Sequence, residues 1–143
     1  MTFTPPDPST PFGARVQRRL HEARTIWFVS VGRDGTPAPN LVWFHWDGEA
    51  TIVVYTRPDA RRLVHLAAHP QLALNLDSDG TGGDMIIVSG TAVRDPGQPA
   101  ADRHPGYLVK YGDAMTGVSG SPEQFAGDFS VPIRVDITKV RGH

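Results

Sequence analysis

Three arginines in one short stretch are the first residues with chemical potential. Arg57, Arg61 and Arg62 follow the hydroxyl of Thr56, where a β-rich run gives way to a helical pattern. A helix N-terminus attracts anions through its free N–H groups and its dipole. Guanidinium groups add bidentate, charge-assisted bonds. Together these suit a phosphate on a small molecule. The competing reading is a solvated basic helix face, and on this segment alone the two stand even.

Other constellations say less. His65 and His69 are four residues apart on the same expected helix, a spacing that can hold zinc, with His45, His104 or Asp77 as a conceivable third ligand. No Glu follows the first His, so the metalloprotease pattern is absent and no metal is expected. Gly80-Thr81-Gly82-Gly83-Asp84 lacks the Lys-Ser/Thr of a phosphate loop and joins two strand patterns, so it reads as a hairpin loop. Gly117-Val118-Ser119-Gly120-Ser121 misses the spacing of a nucleophile elbow and reads as flexible loop.

The elements that must position these groups follow from periodicity and punctuation. Thr10 caps a helix that opens on Pro11, and Phe12, Val16 and Leu20 repeat along one face to about residue 23. Residues 25–31 are β-branched and aromatic. Residues 38–46 form a second strand and 51–56 a third, with Asp34-Gly35 and Asp47-Gly48 at the turns. Pro37 and Pro39 place the second strand at an edge. Asp59 is the expected cap of a short helix carrying Leu63, Leu66 and Ala67, which His69-Pro70 ends. Strands follow at 71–77, 85–93 and 129–140. Helical turns are expected near 106–111 and after Ser121-Pro122-Glu123-Gln124.

Composition bounds the whole. At 143 residues the chain fits one domain, and no second domain is available to a dehydrogenase-like architecture. We expect a flexible arm at 1–9 and a single domain at 10–143. With no cysteine, thiolate catalysis, disulfides and Cys-type metal sites are excluded. The basic residues are twelve arginines and only two lysines, Lys110 and Lys139, against 15 acidic residues, so no nucleic-acid partner is expected. No leader or membrane segment is visible, and a cytoplasmic location is the expectation. One strand-helix-strand crossover is too few for a doubly wound sheet. The fold class is therefore mainly β with short helices, as a small antiparallel barrel.

Several segments, in order, resemble the pyridoxamine-phosphate-oxidase-like split-barrel family, in its actinobacterial coenzyme F420-dependent branch. They are Gly35-Thr36-Pro37-Ala38-Pro39-Asn40-Leu41-Val42-Trp43-Phe44, Tyr55-Thr56-Arg57-Pro58, Arg62-Leu63-Val64-His65-Leu66, His69-Pro70-Gln71-Leu72, Tyr107-Leu108-Val109-Lys110-Tyr111 and Phe129-Ser130-Val131-Pro132-Ile133. The resemblance implies a six-stranded antiparallel split β-barrel working as a homodimer, with a flavin or deazaflavin in a groove between subunits. It places the cofactor phosphate on Thr56, Arg57, Arg61 and Arg62. Arg62 stands where the family usually has Lys, and a second basic position falls on Ala60. Asn40, Val42 and Trp43 would line the ring system, and Lys110 and Tyr111 would reach the partner's cofactor. The implied activity is hydride transfer from reduced F420 to a small conjugated substrate. FMN in place of F420, or a non-catalytic flavin or tetrapyrrole carrier, would use the same residues. Tyr107, Tyr111 and His45 could donate a proton, but solvent can do so too and no catalytic residue is assigned.

Overall fold

The computed structural model describes residues 3–142. The chain runs α1 (Pro11–Glu22), β1 (Ile26–Val31), β2 (Pro37–Val42), β3 (His45–Trp46), β4 (Thr51–Thr56), α2 (Arg61–Ala68), β5 (Gln71–Asn75), β6 (Ile86–Arg94), α3 (Pro105–Ser119), α4 (Pro122–Asp128) and β7 (Val131–Gly142). Every strand pair is antiparallel, in the order β2-β1-β5-β6-β7-β4-β3. The two outer strands, β2 and β3, are consecutive in sequence and separated only by Trp43 and Phe44. Two residues span less than about 8 Å of extended chain, so the sheet must curl until its edges nearly meet. That is a mainly β split barrel with short helices.

The strand count differs from the expected six. The single strand read at 38–46 is two: β2 pairs with β1 from Ile26↔Val42 to Val31↔Pro37, whereas β3 pairs with β4 at His45↔Val53 and Trp46↔Ile52. The chain changes partners at residues 43–44 and thereby closes the barrel. Both prolines lie on this edge strand, where a missing N–H costs no central ladder bond.

The barrel interior holds Phe28, Phe44, Trp46, Ile52, Val54, Leu74, Ile86, Val88, Ile133 and Val135, plugged by Val16 and Leu20 of α1 and Leu63 and Leu66 of α2. A second cluster lies outside the barrel wall. Val53 and Tyr55, on the outer face of β4, pack under Tyr107, Tyr111 and Met115 of α3 and Phe125 of α4. This double cover explains why β4 is buried from Ile52 to Thr56 without alternation. Gly90 sits at a register shift between β6 and β7, where a Cβ would come 2.6 Å from the Asp136 carbonyl oxygen. Only glycine permits that approach.

Several local expectations are corrected. The N-cap of α2 is Ala60, not Asp59, and it makes no side-chain capping bond. α3 extends from 105 to 119, so Gly117, Val118 and Ser119 are helix rather than loop. Its Tyr107, Tyr111 and Met115 repeat every four residues on the buried face. Of the expected arm, residues 1 and 2 lie outside the described residues, as does His143. Phe3 packs against the barrel core, and the Asp7 carboxylate accepts hydrogen bonds from Ser9. No helix among the described residues is long and apolar enough to cross a membrane.

Candidate functional site

β4 delivers Thr56 into the core, and the chain then turns into α2. Thr56 is 1% exposed, and its hydroxyl accepts a hydrogen bond from Nη1 of Arg62. The guanidinium lies 6.0 Å from the centre of the Phe28 ring. Nε of Arg62 is buried and has no partner among the described residues. Burial holds the Arg62 pKa below its ordinary value, which reflects the cost of a cation without a counter-ion. Because α2 lacks a side-chain cap, the Arg61 and Arg62 N–H groups have no capping acceptor, while the Leu63 N–H donates to the Ala60 carbonyl at 3.1 Å. A half-buried cation, an uncapped helix start and an unpaired Nε–H together suit an anion.

Arg62 lines a cavity of about 240 Å³ together with Leu41, Val42, Trp43, Tyr55, Tyr107, Val118, Phe125 and Phe129. Its wall is a column of aromatic rings. Trp43 stacks on Tyr111 at 4.6 Å and 3° and on Phe125 at 5.2 Å and 13°, and Phe125 stacks on Phe129 at 4.4 Å. Arginines cap both ends, Arg57 at 4.6 Å over Phe129 and Arg24 at 5.0 Å over Tyr111.

The expected site residues therefore divide. Val42, Trp43 and Arg62 meet in the cavity, and Thr56 orients Arg62 from below. Arg57 is exposed at the rim, on Phe129. Asn40 and Arg61 line the neighbouring concavity of about 440 Å³, shared with Asp34 and His65. Tyr111 belongs to the aromatic column but does not line the cavity, and Lys110 lies beside it, its ammonium 5.3 Å from the ring centre. The Tyr111 hydroxyl donates to the Arg24 carbonyl at 2.7 Å and accepts from the Phe44 N–H at 3.0 Å. The Lys110 ammonium donates to the Phe44 carbonyl at 3.0 Å, and burial beside Arg24 brings its pKa down to about 8.

His65 does not join a metal cluster. Its Nδ1 lies 3.0 Å from the Ser30 hydroxyl, and no group of three potential ligands occurs among the described residues. A larger concavity of about 480 Å³ lies near Asp95 and Pro132. There Asp95 is already paired with Arg134 at 3.0 Å, and Arg94 is exposed to solvent, unlike the half-buried Arg62.

Phe125, Phe129, Leu41 and Val118 were not singled out from sequence. The spacing of the two phenylalanines, one helical turn apart, is the signal that would have shown them sharing a face.

His104 fixes the start of α3 and so the position of Tyr107. Its Nδ1 accepts the Tyr107 N–H at 3.1 Å, and its ring packs 4.9 Å from that of His45. Burial lowers the pKa of both histidines. The unfolded chain therefore binds more protons than the folded one just below the ordinary histidine pKa of about 6.5, and stability falls as pH drops through that range. Chemical unfolding at pH 7.5 and pH 5 should show this loss. His104→Asn, which keeps a capping acceptor and removes the titration, should reduce it. An unchanged wild-type stability would contradict the assignment.

A family model described as pyridoxamine 5'-phosphate oxidase matches residues 12–140. The chain belongs to the pyridoxamine 5'-phosphate oxidase family. Solved structures agree on the fold. An F420 reductase aligns with a TM-score of 0.65 and 23% identity, over 87% of this chain and 94% of that one. HutZ, a heme storage protein from Vibrio cholerae, aligns at 0.67 and 14% identity, over 93% and 95%. General Stress Protein 26 from Bacillus anthracis aligns at 0.66 and 15%, over 89% of each chain. No curated protein matches the sequence.

Proposed function

We propose that this member of the pyridoxamine 5'-phosphate oxidase family is an oxidoreductase that uses coenzyme F420, with FMN as the alternative cofactor. The observation that carries the reading is the half-buried Arg62 guanidinium, with its unpaired Nε–H, at the uncapped start of α2 and beside a flat aromatic wall. A phosphate answers the cation and the free N–H groups. A planar ring answers Trp43 and its apolar neighbours. The residues present thus fit a phosphate-bearing flavin or deazaflavin, and the likeness to an F420 reductase favours the deazaflavin.

When bound, the cofactor supplies the hydride chemistry. The chain's residues do the positioning. Thr56 holds Arg62, so the charge-assisted bonds to phosphate form without reorienting the side chain. Trp43 is held by stacking against Tyr111 and Phe125, which fixes one face of the ring site and keeps water from it. The substrate is a small conjugated molecule, and no side chain is required to protonate the product, since solvent can.

The functional unit is a homodimer. The cavity of one chain, about 240 Å³, is smaller than the roughly 300–1,000 Å³ of typical cofactor pockets. Leu41 and Val118, 51% and 55% exposed at its edge, are apolar rim residues that a second copy would cover. Light scattering at micromolar concentration should give twice the chain mass, and a monomer would remove the shared groove.

The test of catalysis is steady-state oxidation of reduced F420 in the presence of electron-poor enones, followed by absorbance. Turnover supports an enzyme. Tight binding of cofactor without turnover for any acceptor supports a carrier, the reading that the likeness to a heme storage protein favours.

A further inference from the structure

α3 begins on a group that titrates. Its N-cap is His104, whose Nδ1 accepts the Tyr107 N–H at 3.1 Å. The hydroxyls of Thr10 and Ser121 cap α1 and α4, and α2 has no side-chain cap, so α3 alone is held by a cap whose charge changes near neutral pH. The N–H that it holds belongs to a residue of the cavity wall, since Tyr107 lines the cavity with Arg62 and Trp43. Tyr107 packs in turn on Tyr111 at 4.8 Å, and Tyr111 stacks on Trp43 at 4.6 Å. The start of α3 is thus joined to the ring site by packed aromatic rings.

A second histidine faces the first. His45 opens β3, directly after the Trp43–Phe44 joint, and its ring lies 4.9 Å from that of His104. A Cβ at Gly106 would run into the His45 ring, so the first turn of α3 rests against it as only glycine allows. The surroundings favour neutral rings. Burial weighs most against a charged His45, followed by His104 and Lys110 of α3 and then His21 of α1, whereas Asp47 favours the charge. Burial also opposes a charge on His104, which Tyr55 of β4 and Tyr107 of α3 meet edge-on. Neither imidazole forms an ion pair, with Asp102 beside His104 or with any other carboxylate, among the described residues.

A proton on Nδ1 of His104 turns the acceptor of the Tyr107 N–H into a donor, so that two donors face each other. It also sets a cation at a helix N-terminus, against the dipole, and beside the His45 ring. We propose that the His45–His104 pair is a proton-operated latch between β3 and α3, which holds the cavity in shape while both rings are neutral and releases its ligand in acid. Opening frees His104 to take its ordinary pKa of about 6.5, so the open form binds more protons than the closed one and gains population as pH falls below that value. The latch acts on the first turn of α3 while the barrel stays folded, and so is distinct from the loss of global stability. That the released ligand is a flavin or deazaflavin rests on the reading above, whereas the latch itself does not.

Amide hydrogen exchange of the wild-type protein, followed by NMR at pH 7.5 and pH 5 and corrected for the intrinsic rate at each pH, reads the latch directly. Protection of the Tyr107 N–H, and of the Leu108 N–H that opens the helical ladder on the His104 carbonyl, should fall about tenfold in acid. The Val16 and Leu20 amides of α1 should keep theirs. Unchanged protection at Tyr107 would overturn the proposal, as would an equal fall in α1, which would mean that acid loosens the whole fold. His104→Asn keeps a capping acceptor and cannot take the proton, so α3 should hold its protection at both pH values. A loss as large as that of wild type would place the switch elsewhere and overturn the proposal. Release is read by fluorescence titration with riboflavin, which has no phosphate of its own to titrate. Wild type should bind it about tenfold more weakly at pH 5 than at pH 7.5, and His104→Asn about equally at both. Equal weakening in the two proteins would overturn the link to the cavity. The exchange measurement needs no ligand, so failure of the latch is distinct from failure of the cofactor reading.

Discussion

Replacing Arg62 by Ala is expected to weaken FMN binding by about 10- to 100-fold while leaving riboflavin, which lacks the phosphate, within about twofold. The size follows from charge-assisted hydrogen bonds to a half-buried cation, worth about 1.5–3 kcal/mol. The asymmetry follows from position. Arg62 is fixed by Thr56 through Nη1, and its Nε–H is unpaired among the described residues, so its expected contribution is to an anion rather than to the ring. Arg62→Lys keeps the charge but lacks the planar fork, and should recover only part of the loss. Truncation also leaves the Thr56 hydroxyl buried without its donor, so the variant's melting temperature must be checked alongside. Fluorescence titration of FMN and riboflavin against wild type and both variants decides the matter. Equal losses for the two ligands would show that Arg62 does not hold the phosphate.

Tyr111→Phe is expected to cost about 1–3 kcal/mol of stability, a fall of several degrees in melting temperature. Here the removed hydroxyl is fully engaged. It donates to the Arg24 carbonyl and accepts the Phe44 N–H, both inside the fold. Phe44 belongs to the two-residue joint at which the chain leaves β2 and enters β3. Without Tyr111 that buried N–H has no acceptor, and leaving a buried donor unsatisfied costs more than an average hydrogen bond gains. The effect should reach the site, because Trp43 stacks directly on the Tyr111 ring. Thermal unfolding followed by circular dichroism measures it. A melting temperature equal to that of wild type would mean that the joint is held by other contacts.

Much of the architecture was legible in the residues. Thr10-Pro11 begins α1 and accepts the Gly13 N–H, as a cap should. Asp34-Gly35 and Asp47-Gly48 turn the chain, each glycine at positive φ and each aspartate accepting backbone N–H bonds two residues on. The joint at 43–44 was not legible, for a physical reason. Val42, Phe44 and Trp46 are all buried, so the period-2 pattern runs through the partner switch uninterrupted. Side-chain alternation reports which face a residue takes and is silent on which strand it pairs with.

The length of α3 was hidden by Gly106, Gly112 and Gly117, which dilute the helical signal that Tyr107, Tyr111 and Met115 carry. The cap of α2 was misplaced by one residue, because Asp59 has the right chemistry but Ala60 has the position. That error has consequence: a side-chain carboxylate at the cap would compete for the Arg62 N–H, which has no capping acceptor here, whereas the Leu63 N–H is already taken by the Ala60 carbonyl.

The site itself was half visible. Arg62 and Trp43 stood out by residue type. The wall that makes the cavity comes from α3 and α4, more than sixty residues downstream of Trp43, and only the fold brings Phe125 within 5.2 Å of it. Sequence spacing carries no information about that distance. The arginines likewise looked alike in sequence and differ in structure: Arg57 lies on a ring face, Arg61 faces the adjacent concavity and Arg62 alone is half-buried, against Thr56.

The most direct test of the central claim is parallel titration of the purified protein with F420 and FMN, followed by fluorescence. The account predicts saturable binding of F420 that is tighter than that of FMN. Tighter binding of FMN would overturn the choice of cofactor, and binding of neither would contradict the assignment of the Arg62 cavity as a cofactor site.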